Sequence, residues 1–287
     1  MSLAALPYRR IGPAAPASPV ILSVPHAGRD YPAAIADMLR VPREALEALE
    51  DRHVDRLADA AAASGISGLV ATVPRAWIDL NRADREIDPD MIEPPLRGAA
   101  LIQSAKVRGG LGLVPRRLHP HGDIWKGRLP VDSLTARIRD IHRPYHEALS
   151  ALLTLARARF GAAVLLDLHS MPPIRVNGGR AARIVIGDRF GRSATARITA
   201  RAVAEAREAG FVSTVNTPYA GGHILERHGD PAQGVHAIQV EIDRSLYLAP
   251  GLREPGPGMA AMSAFVARLA AALADEISGW PMAIAAE

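Results

Sequence analysis

Short apolar runs alternate with amphipathic segments along most of the chain. The apolar runs predict buried strands at 20–24, 69–73, 163–168, 184–186, 211–215 and 236–242. Apolar residues at helical spacing predict helices at 43–63, 133–160, 195–209 and 258–278. Pro144 lies inside the second of these helices and should kink or break it, because proline lacks the N–H that a helix interior needs.

Apolar strands separated by helices are typical of an α/β fold. We therefore predict a single domain over residues 1–287, with a mostly parallel or mixed central sheet flanked by helices. In such sheets, ligands bind beyond the carboxyl ends of the strands. Residues 89–127 show little periodicity and contain Gly109, Gly110 and Gly112, which predicts a long irregular loop, and such loops in compact domains are often functional.

The composition disfavours membrane and nucleic-acid-binding proteins and excludes metal sites built on cysteine. No apolar run approaches the ~20 residues needed to cross a bilayer, and the N-terminus lacks a secretory pattern, so we expect a cytoplasmic protein with no membrane association. The pI is 9.8, but the net charge is only +4, and 32 of the 34 basic residues are arginines interspersed with acids. This pattern does not favour nucleic acid as a partner. Because the chain has no cysteine, a transition metal must be held by His, Asp or Glu.

Polar residues follow several of the predicted strands. His26 comes after the first strand, the sequence Asp-Leu-Asn-Arg occupies 79–82, and Asp167, His169 and Glu241 lie on or after later strands. Taken singly, Asp167 fits a helix cap and Glu241 fits half of a buried ion pair. Taken together, such buried groups are costly unless they pair or bind metal. Two imidazoles and one carboxylate suffice for a catalytic zinc ion that keeps one position open.

The order of these motifs resembles that of the zinc carboxypeptidase and aspartoacylase group. Within this group, the chain is most similar to the N-formylglutamate amidohydrolase family over residues 19–247. The matching segments are Ser-x-Pro-His-x-Gly at 23–28, Asp-x-His at 51–53, His-Ser at 169–170, Gly-Gly at 221–222 and Arg-His-Gly-x-Pro to Gln-x-Glu at 227–241. The resemblance implies a zinc carboxypeptidase-like (phosphorylase/hydrolase-like) fold and a zinc cofactor.

The resemblance also implies the metal ligands. His26 and His169 would bind zinc, each with an acceptor for its second ring nitrogen. The carboxypeptidase group has a zinc-binding glutamate three residues after its first histidine, and Arg29 stands there in this chain. We therefore expect Asp51 to be the third ligand, with Asp55, one helical turn away, and His53 as alternatives. Asp167 is expected to point to the face opposite His169 and is not assigned as its acceptor.

Roles in substrate binding and catalysis follow from the same resemblance. Arg82, assisted by Asn81, would bind a substrate carboxylate in a two-pronged manner. Glu241 would take a proton from the attacking water and pass it to the leaving amine. His228 and His236 would line the site or orient the substrate, with loop packing as the alternative. Four further histidines, His119, His121, His142 and His146, are weaker candidates.

The function implied is hydrolysis of the formyl amide of N-formyl-L-glutamate, within histidine degradation, with a small N-acyl amino acid bearing a free carboxylate as the partner. Three alternatives stay open from the sequence. They are a deacylase for another N-acyl acidic amino acid, a peptidase of the carboxypeptidase type and a metal-binding module without turnover. Retention of Glu241 and of both candidate histidine ligands disfavours the last of these.

Overall fold

The computed structural model describes residues 6–96, 100–175 and 180–279. Its strands, in chain order, are β1 (Tyr8–Ile11), β2 (Val20–Val24), β3 (Ser67–Ala71), β4 (Ile92–Glu93), β5 (Arg117–Leu118), β6 (Gly122–Asp123), β7 (Leu129–Pro130), β8 (Ala163–Met171), β9 (Ile184–Gly187), β10 (Ser213–Val215) and β11 (Val235–Asp243). Its α-helices are α1 (Ile35–Met38), α2 (Val54–Ala63), α3 (Ala105–Arg108), α4 (Val131–Arg137), α5 (Arg143–Phe160), α6 (Ala196–Glu208), α7 (His223–His228) and α8 (Met259–Ser278).

The main sheet confirms the predicted α/β fold. In the described residues it has seven strands in the order β1-β3-β2-β8-β11-β9-β10. β8 pairs in parallel with β2 and β11, and β9 with β10, whereas β9 and β11 are antiparallel. Every residue of β8 is buried, as expected for a central strand covered on both faces. No helix in the described ranges is long and apolar enough to span a bilayer.

By its contacts the chain divides into two compact units. The sheet unit comprises Arg10–Val24, Asp51–Leu69 and Leu149–Glu287. Within it, α8 packs against α2 and α6 and also contacts β2 and β8, while α7 contacts β8 and β11. The prediction of a single catalytic domain stays a prediction.

The loop unit comprises Met1–Arg9, Pro25–Glu50 and Val70–Ala148. It has its own apolar core, in which Leu113, Ile124 and Trp125 are buried. These three residues belong to the segment 89–127, which also forms β4, α3, β5 and β6. The segment therefore contributes to a packed core, and residues 97–99 of it lie outside the described part. Its predicted functional role stays a prediction.

The predicted helix at 43–63 is wrong as one continuous element. Arg43–Leu49 forms a 3-10 helix, and α2 begins only at Val54. His53, between them, has a left-handed backbone with φ of 62°, which no α-helix contains. Asp51 and Asp55 are therefore not one helical turn apart on one face.

Pro144 does not end its helix. The helical run begins at Val131, two residues earlier than predicted, and a π-helical turn, Ile138–His142, separates α4 from α5. Such a turn alters the hydrogen-bonding register just before the proline and so accommodates its missing N–H. The second predicted strand is shifted by two residues to Ser67–Ala71. The other predicted strands and helices are present, with ends displaced by up to three residues.

Candidate active site

The carboxyl-terminal halves of β2, β8 and β11 carry polar side chains on one face of the sheet. Residues two apart on a strand point to the same face, and register partners on neighbouring strands lie side by side. Asp167 is the partner of Gln239, and His169 is the partner of Glu241. Ser23 is in register with Asp167. These five buried side chains form two polar rows across three adjacent strands.

His169 is held at both ring nitrogens by carboxylates. Its Nε2 lies 2.8 Å from Asp167 Oδ2, and its Nδ1 lies 3.1 Å from Asp51 Oδ2. Ser23 donates to the other oxygen of Asp167 at 2.6 Å. The prediction that Asp167 faces away from His169 is wrong, because residues two apart on a strand share a face. Asp167 thus favours the tautomer protonated at Nε2, and Nδ1 is the nitrogen that can ligate a metal.

The charges around His169 favour a cation. Burial alone lowers the pKa of an imidazole. Against this, the carboxylates of Asp167, Asp51 and Glu241 raise the pKa of His169 well above its ordinary value. The same three carboxylates would also favour a metal ion bound to the imidazole in place of the proton.

Asp51 lies in the break before α2 and is positioned through its Oδ1. Ser170 donates to this oxygen at 3.0 Å, and Arg244 Nη2 at 3.2 Å. Arg244 also donates through Nε to the hydroxyl of Ser170 at 3.0 Å. The second carboxylate oxygen, Oδ2, is the one directed to His169.

His26 follows β2 directly and has an aspartate of its own. Its Nε2 lies 2.7 Å from Asp79 Oδ1. Gly28 sets the path of this segment, because a Cβ there would lie 2.2 Å from the carbonyl oxygen of Val73. That close approach explains why the Ser-x-Pro-His-x-Gly motif ends in glycine.

Asp79 is a fully buried carboxylate with several partners. It accepts from Arg75 Nε at 2.8 Å and from the backbone N–H of Asn81 at 2.9 Å. Burial raises its pKa, but the charges of Arg75, His26 and Arg82 hold that pKa well below the ordinary value. Asp79 therefore stays ionised and fixes His26 with Nε2 protonated, which makes Nδ1 the nitrogen available to a metal.

Within the described residues two groups of side chains could hold a metal ion, and one of them consists of histidines alone. In the other group the ligand atoms of His26, Asp51 and His169 all lie within 4.8 Å of one another, and all three residues are buried. Two imidazoles with carboxylate-fixed tautomers and one carboxylate are the donor set of a catalytic zinc site. Of the three candidates for the third ligand, Asp51 is the one in this group, whereas Nε2 of His53 lies 3.2 Å from the carbonyl oxygen of Arg253.

Glu241, on β11, lies beside His169 of β8. Its side chain is only 8% exposed, and Gln239 donates to its Oε1 at 2.8 Å. This bond fixes the carboxylate on the same face as His169. A buried carboxylate beside a metal ligand is suited to accept and return a proton.

Asn81 and Arg82, the predicted carboxylate-binding pair and here called the clamp, lie in the loop unit. Arg82 is 8% exposed, and it donates from Nε to Leu111 O at 2.9 Å and from Nη1 to Asn81 O at 2.7 Å. In the described part of the chain, no carboxylate lies within ion-pairing distance of its guanidinium. Nη2 and the second N–H of Nη1 are therefore left to receive an anion.

Two buried histidines of the helical run that includes α4 and α5 form hydrogen bonds to the backbone of the clamp segment. His142 Nε2 lies 2.8 Å from Arg82 O, and His146 Nε2 lies 3.0 Å from Leu80 O. The centres of their two rings are 4.4 Å apart. Histidines that ranked as weak candidates in the sequence thus fix the backbone on both sides of Asn81.

Residues 18–248, about four-fifths of the chain, match the N-formylglutamate amidohydrolase family. The chain belongs to this family. The curated relatives include N-formylglutamate deformylases of Pseudomonas putida, 32% identical over 234 residues, and of Pseudomonas aeruginosa, 31% identical over 239 residues. Each of these alignments covers 80% of this chain and 82% of the relative.

A solved family structure has the same fold. The N-formylglutamate amidohydrolase of Ralstonia eutropha JMP134 is 34% identical, with a TM-score of 0.87 over 95% of this chain and 99% of that protein.

The two family-matched histidines His228 and His236 occupy different places. His228 ends α7, and its Nδ1 lies 3.4 Å from the hydroxyl of Ser150. His236 lies near the start of β11, five residues before Glu241, which is about 16 Å along a strand. The structure thus does not bring His236 to the carboxyl end of the sheet. Its Nδ1 instead accepts from the backbone N–H of Thr195 at 3.4 Å.

Asp79, Ser170 and Arg244 contact the candidate ligands His26 and Asp51, and the sequence alone does not assign these contacts. Asp79 belongs to the Asp-Leu-Asn-Arg segment, whose last two residues are the predicted carboxylate-binding pair. Ser170 follows His169 in sequence, and Arg244 follows β11 directly, so both stand at the carboxyl ends of strands where ligands bind. That position is the signal that could have identified them.

Proposed function

We propose that this protein hydrolyses the formyl amide of N-formyl-L-glutamate, releasing formate and L-glutamate, with zinc held by His26, Asp51 and His169. The observation that carries the proposal is the buried group of two histidines and an aspartate beside Glu241, in a chain of this family. The names of the curated relatives supply the substrate.

The ligand residues are prepared for a metal by their partners. Asp79 and Asp167 accept from Nε2 of His26 and His169, so each imidazole would ligate through Nδ1. When bound, zinc would lower the pKa of water to about 7 and polarise the formyl carbonyl.

Glu241 performs the proton transfers. It takes a proton from the attacking water as the new C–O bond forms. It then delivers that proton to the amide nitrogen as the C–N bond breaks, which gives formate and the free amine. Gln239 holds the carboxylate in one orientation during both transfers.

The clamp binds a carboxylate of the substrate. Arg82 offers two parallel N–H groups from Nη1 and Nη2, and this geometry matches a carboxylate. The guanidinium is buried, and the Asp79 carboxylate that interacts with its charge is hydrogen-bonded to His26 and Arg75, so a substrate carboxylate would give Arg82 a direct anionic partner.

Formate release tests the proposal. The purified protein should release formate from N-formyl-L-glutamate, lose that activity in a chelator and regain it with zinc. N-Acetyl-L-glutamate and N-succinyl-L-glutamate serve as comparison substrates. Turnover of either of these in preference to the formyl compound would reassign the acyl group, and chelator-resistant release would refute the metal-dependent mechanism.

A further inference from the structure

Arg137, the last residue of α4, is a buried guanidinium with an incomplete set of partners. The residue is 3% exposed. Its Nη1 donates to Trp77 O at 2.9 Å, and its central carbon lies 3.3 Å from the centre of the Trp77 ring. Its Nε and Nη2 are buried and make no hydrogen bond. Within the described ranges, no carboxylate pairs with it.

This arrangement is energetically unfavourable without an anion. Burial lowers the pKa of Arg137 to about 9, and the group is still a cation at neutral pH. Stacking on Trp77 offsets part of the cost, but a ring face provides no acceptor for the remaining N–H groups. A lone buried cation of this kind indicates a ligand that supplies the missing charge.

The two nitrogen atoms of Arg137 that lack a hydrogen bond lie on one edge of its guanidinium. Nε and Nη2 are the two atoms of the side-on edge through which arginine binds a carboxylate by two parallel hydrogen bonds. Arg82 has already used its own Nε on Leu111 O and so offers its other edge. The loop unit therefore contains two buried arginines that present different edges to anions.

Arg137 is held on the same stretch of backbone as the clamp. Trp77, its partner, precedes Arg82 by five residues in sequence. The helical run that begins with α4 also supplies His142, which holds Arg82 O. Both guanidiniums thus donate to backbone carbonyl groups within residues 77–82. Other backbone hydrogen bonds restrain this segment.

N-Formylglutamate carries two carboxylates, and the clamp accounts for one. We propose that Arg137 binds the second carboxylate of the substrate through Nε and Nη2. This inference rests on the proposed function. The side chains that cover the fork must move aside when the substrate enters, because both donor atoms are buried in this structure.

Amidated substrates test the assignment. kcat/KM is measured for N-formyl-L-glutamate, for N-formyl-L-glutamine and for the α-amide of N-formyl-L-glutamate. The enzymes are wild type, Arg137→Met, Arg137→Lys and Arg82→Lys. Arg139→Met is the matched control, because Arg139 lies two residues further along, is exposed and pairs with Asp140.

Arg137→Met should lose about 30-fold or more with the dicarboxylate, since a charged partner has been removed. With one of the two amides this loss should vanish. Arg82→Lys should become insensitive to the other amide, and Arg139→Met should match wild type throughout. If Arg137→Met folds poorly, Arg137→Lys keeps the charge without the fork and should show the same pattern at smaller size.

The outcomes separate the two proposals. Equal losses for the diacid and both amides, or no loss at all, would overturn the role of Arg137 while wild-type formate release still stands. Absence of chelator-sensitive formate release by wild type would instead refute the function on which this inference rests.

Discussion

The sheet unit and the loop unit position their functional side chains by different physical means. In the sheet unit, strand register places His169 beside Glu241 and Asp167 beside Gln239, so backbone pairing sets the spacing. In the loop unit, Asn81 and Arg82 lie on irregular backbone. Side chains of His142 and His146 hold that backbone at its carbonyl groups.

This difference predicts which substitutions should have local effects and which should displace the surrounding backbone. A strand keeps its register when one side chain is replaced, because the backbone hydrogen bonds to its neighbouring strands fix it. An irregular segment held by a few side chains moves when one of them is lost. Changes on the strands of the sheet unit should therefore alter chemistry or metal affinity, and changes at the clamp or at the side chains that hold it should alter substrate affinity.

The largest expected effect on turnover is at Glu241. Glu241→Gln keeps the shape and the strand but removes the base, so kcat should fall by about 10²–10⁴-fold with little change in KM. Bound zinc and melting temperature should stay near wild type. Zinc content, melting temperature and kcat are measured on one preparation.

Glu205 offers the matched control for this change. It is also a buried glutamate of the sheet unit, but it pairs with Arg201 and Arg268 on the helices. Glu205→Gln should lower the melting temperature and leave kcat per folded molecule unchanged. A Glu241→Gln enzyme that is zinc-loaded and fully active would defeat the proposed proton transfer.

The next largest effect should be at Arg82 in the loop unit. Arg82→Lys keeps a charge but loses the planar fork and its bonds to Leu111 O and Asn81 O. The loss in kcat/KM should be about 2–5 kcal/mol, carried mainly by KM. The loss should shrink for the substrate in which the clamp's carboxylate is amidated. A loss carried entirely by kcat would contradict a binding role.

The sequence predicted the sheet unit's contribution better than the loop unit's. Apolar runs predict β8 and β11, and the period of two places Asp167 and His169 on one face, contrary to the expectation that they point to opposite faces. No local pattern links His26 to Asp79 or His142 to Arg82, since these partners are 53 and 60 residues apart. The break at His53, which takes Asp51 out of the helix, also depends on tertiary contacts such as that with Arg253.

A smaller effect, on metal affinity, is expected from Asp167→Asn. The amide cannot hold the Nε2–H tautomer of His169 as a carboxylate does, so Nδ1 becomes a poorer ligand. Zinc should bind about 10–100-fold more weakly, as measured by competition with a chromogenic chelator. Unchanged affinity would remove Asp167 from the metal site.

Asp188 provides the control for that variant. It is a buried aspartate of the sheet unit that accepts from Thr199, Asn216 and the backbone of Gly191, with no histidine partner. Burial raises its pKa, but these hydrogen bonds hold the pKa below the ordinary value. Its stabilising contribution is therefore present at neutral pH and is lost as the pH falls below about 4. Asp188→Asn should lower the melting temperature at pH 7, less so in acid, and leave zinc affinity unchanged.

The smallest expected effect is at His146, and it tests the comparison most directly. His146→Leu removes the donor to Leu80 O and leaves a buried carbonyl without that hydrogen bond, whereas His146→Gln places an amide N–H near the position of Nε2. One such bond corresponds to about a 2- to 10-fold change, so His146→Leu should raise KM by that factor with kcat nearly unchanged. His146→Gln should restore KM. Melting temperatures of both variants show how much of the change is general destabilisation. If His146→Leu lowers the melting temperature but leaves KM as in wild type, the histidine supports the helix alone. The clamp would then keep its position without His146, which would contradict the idea that side chains hold this backbone in the loop unit.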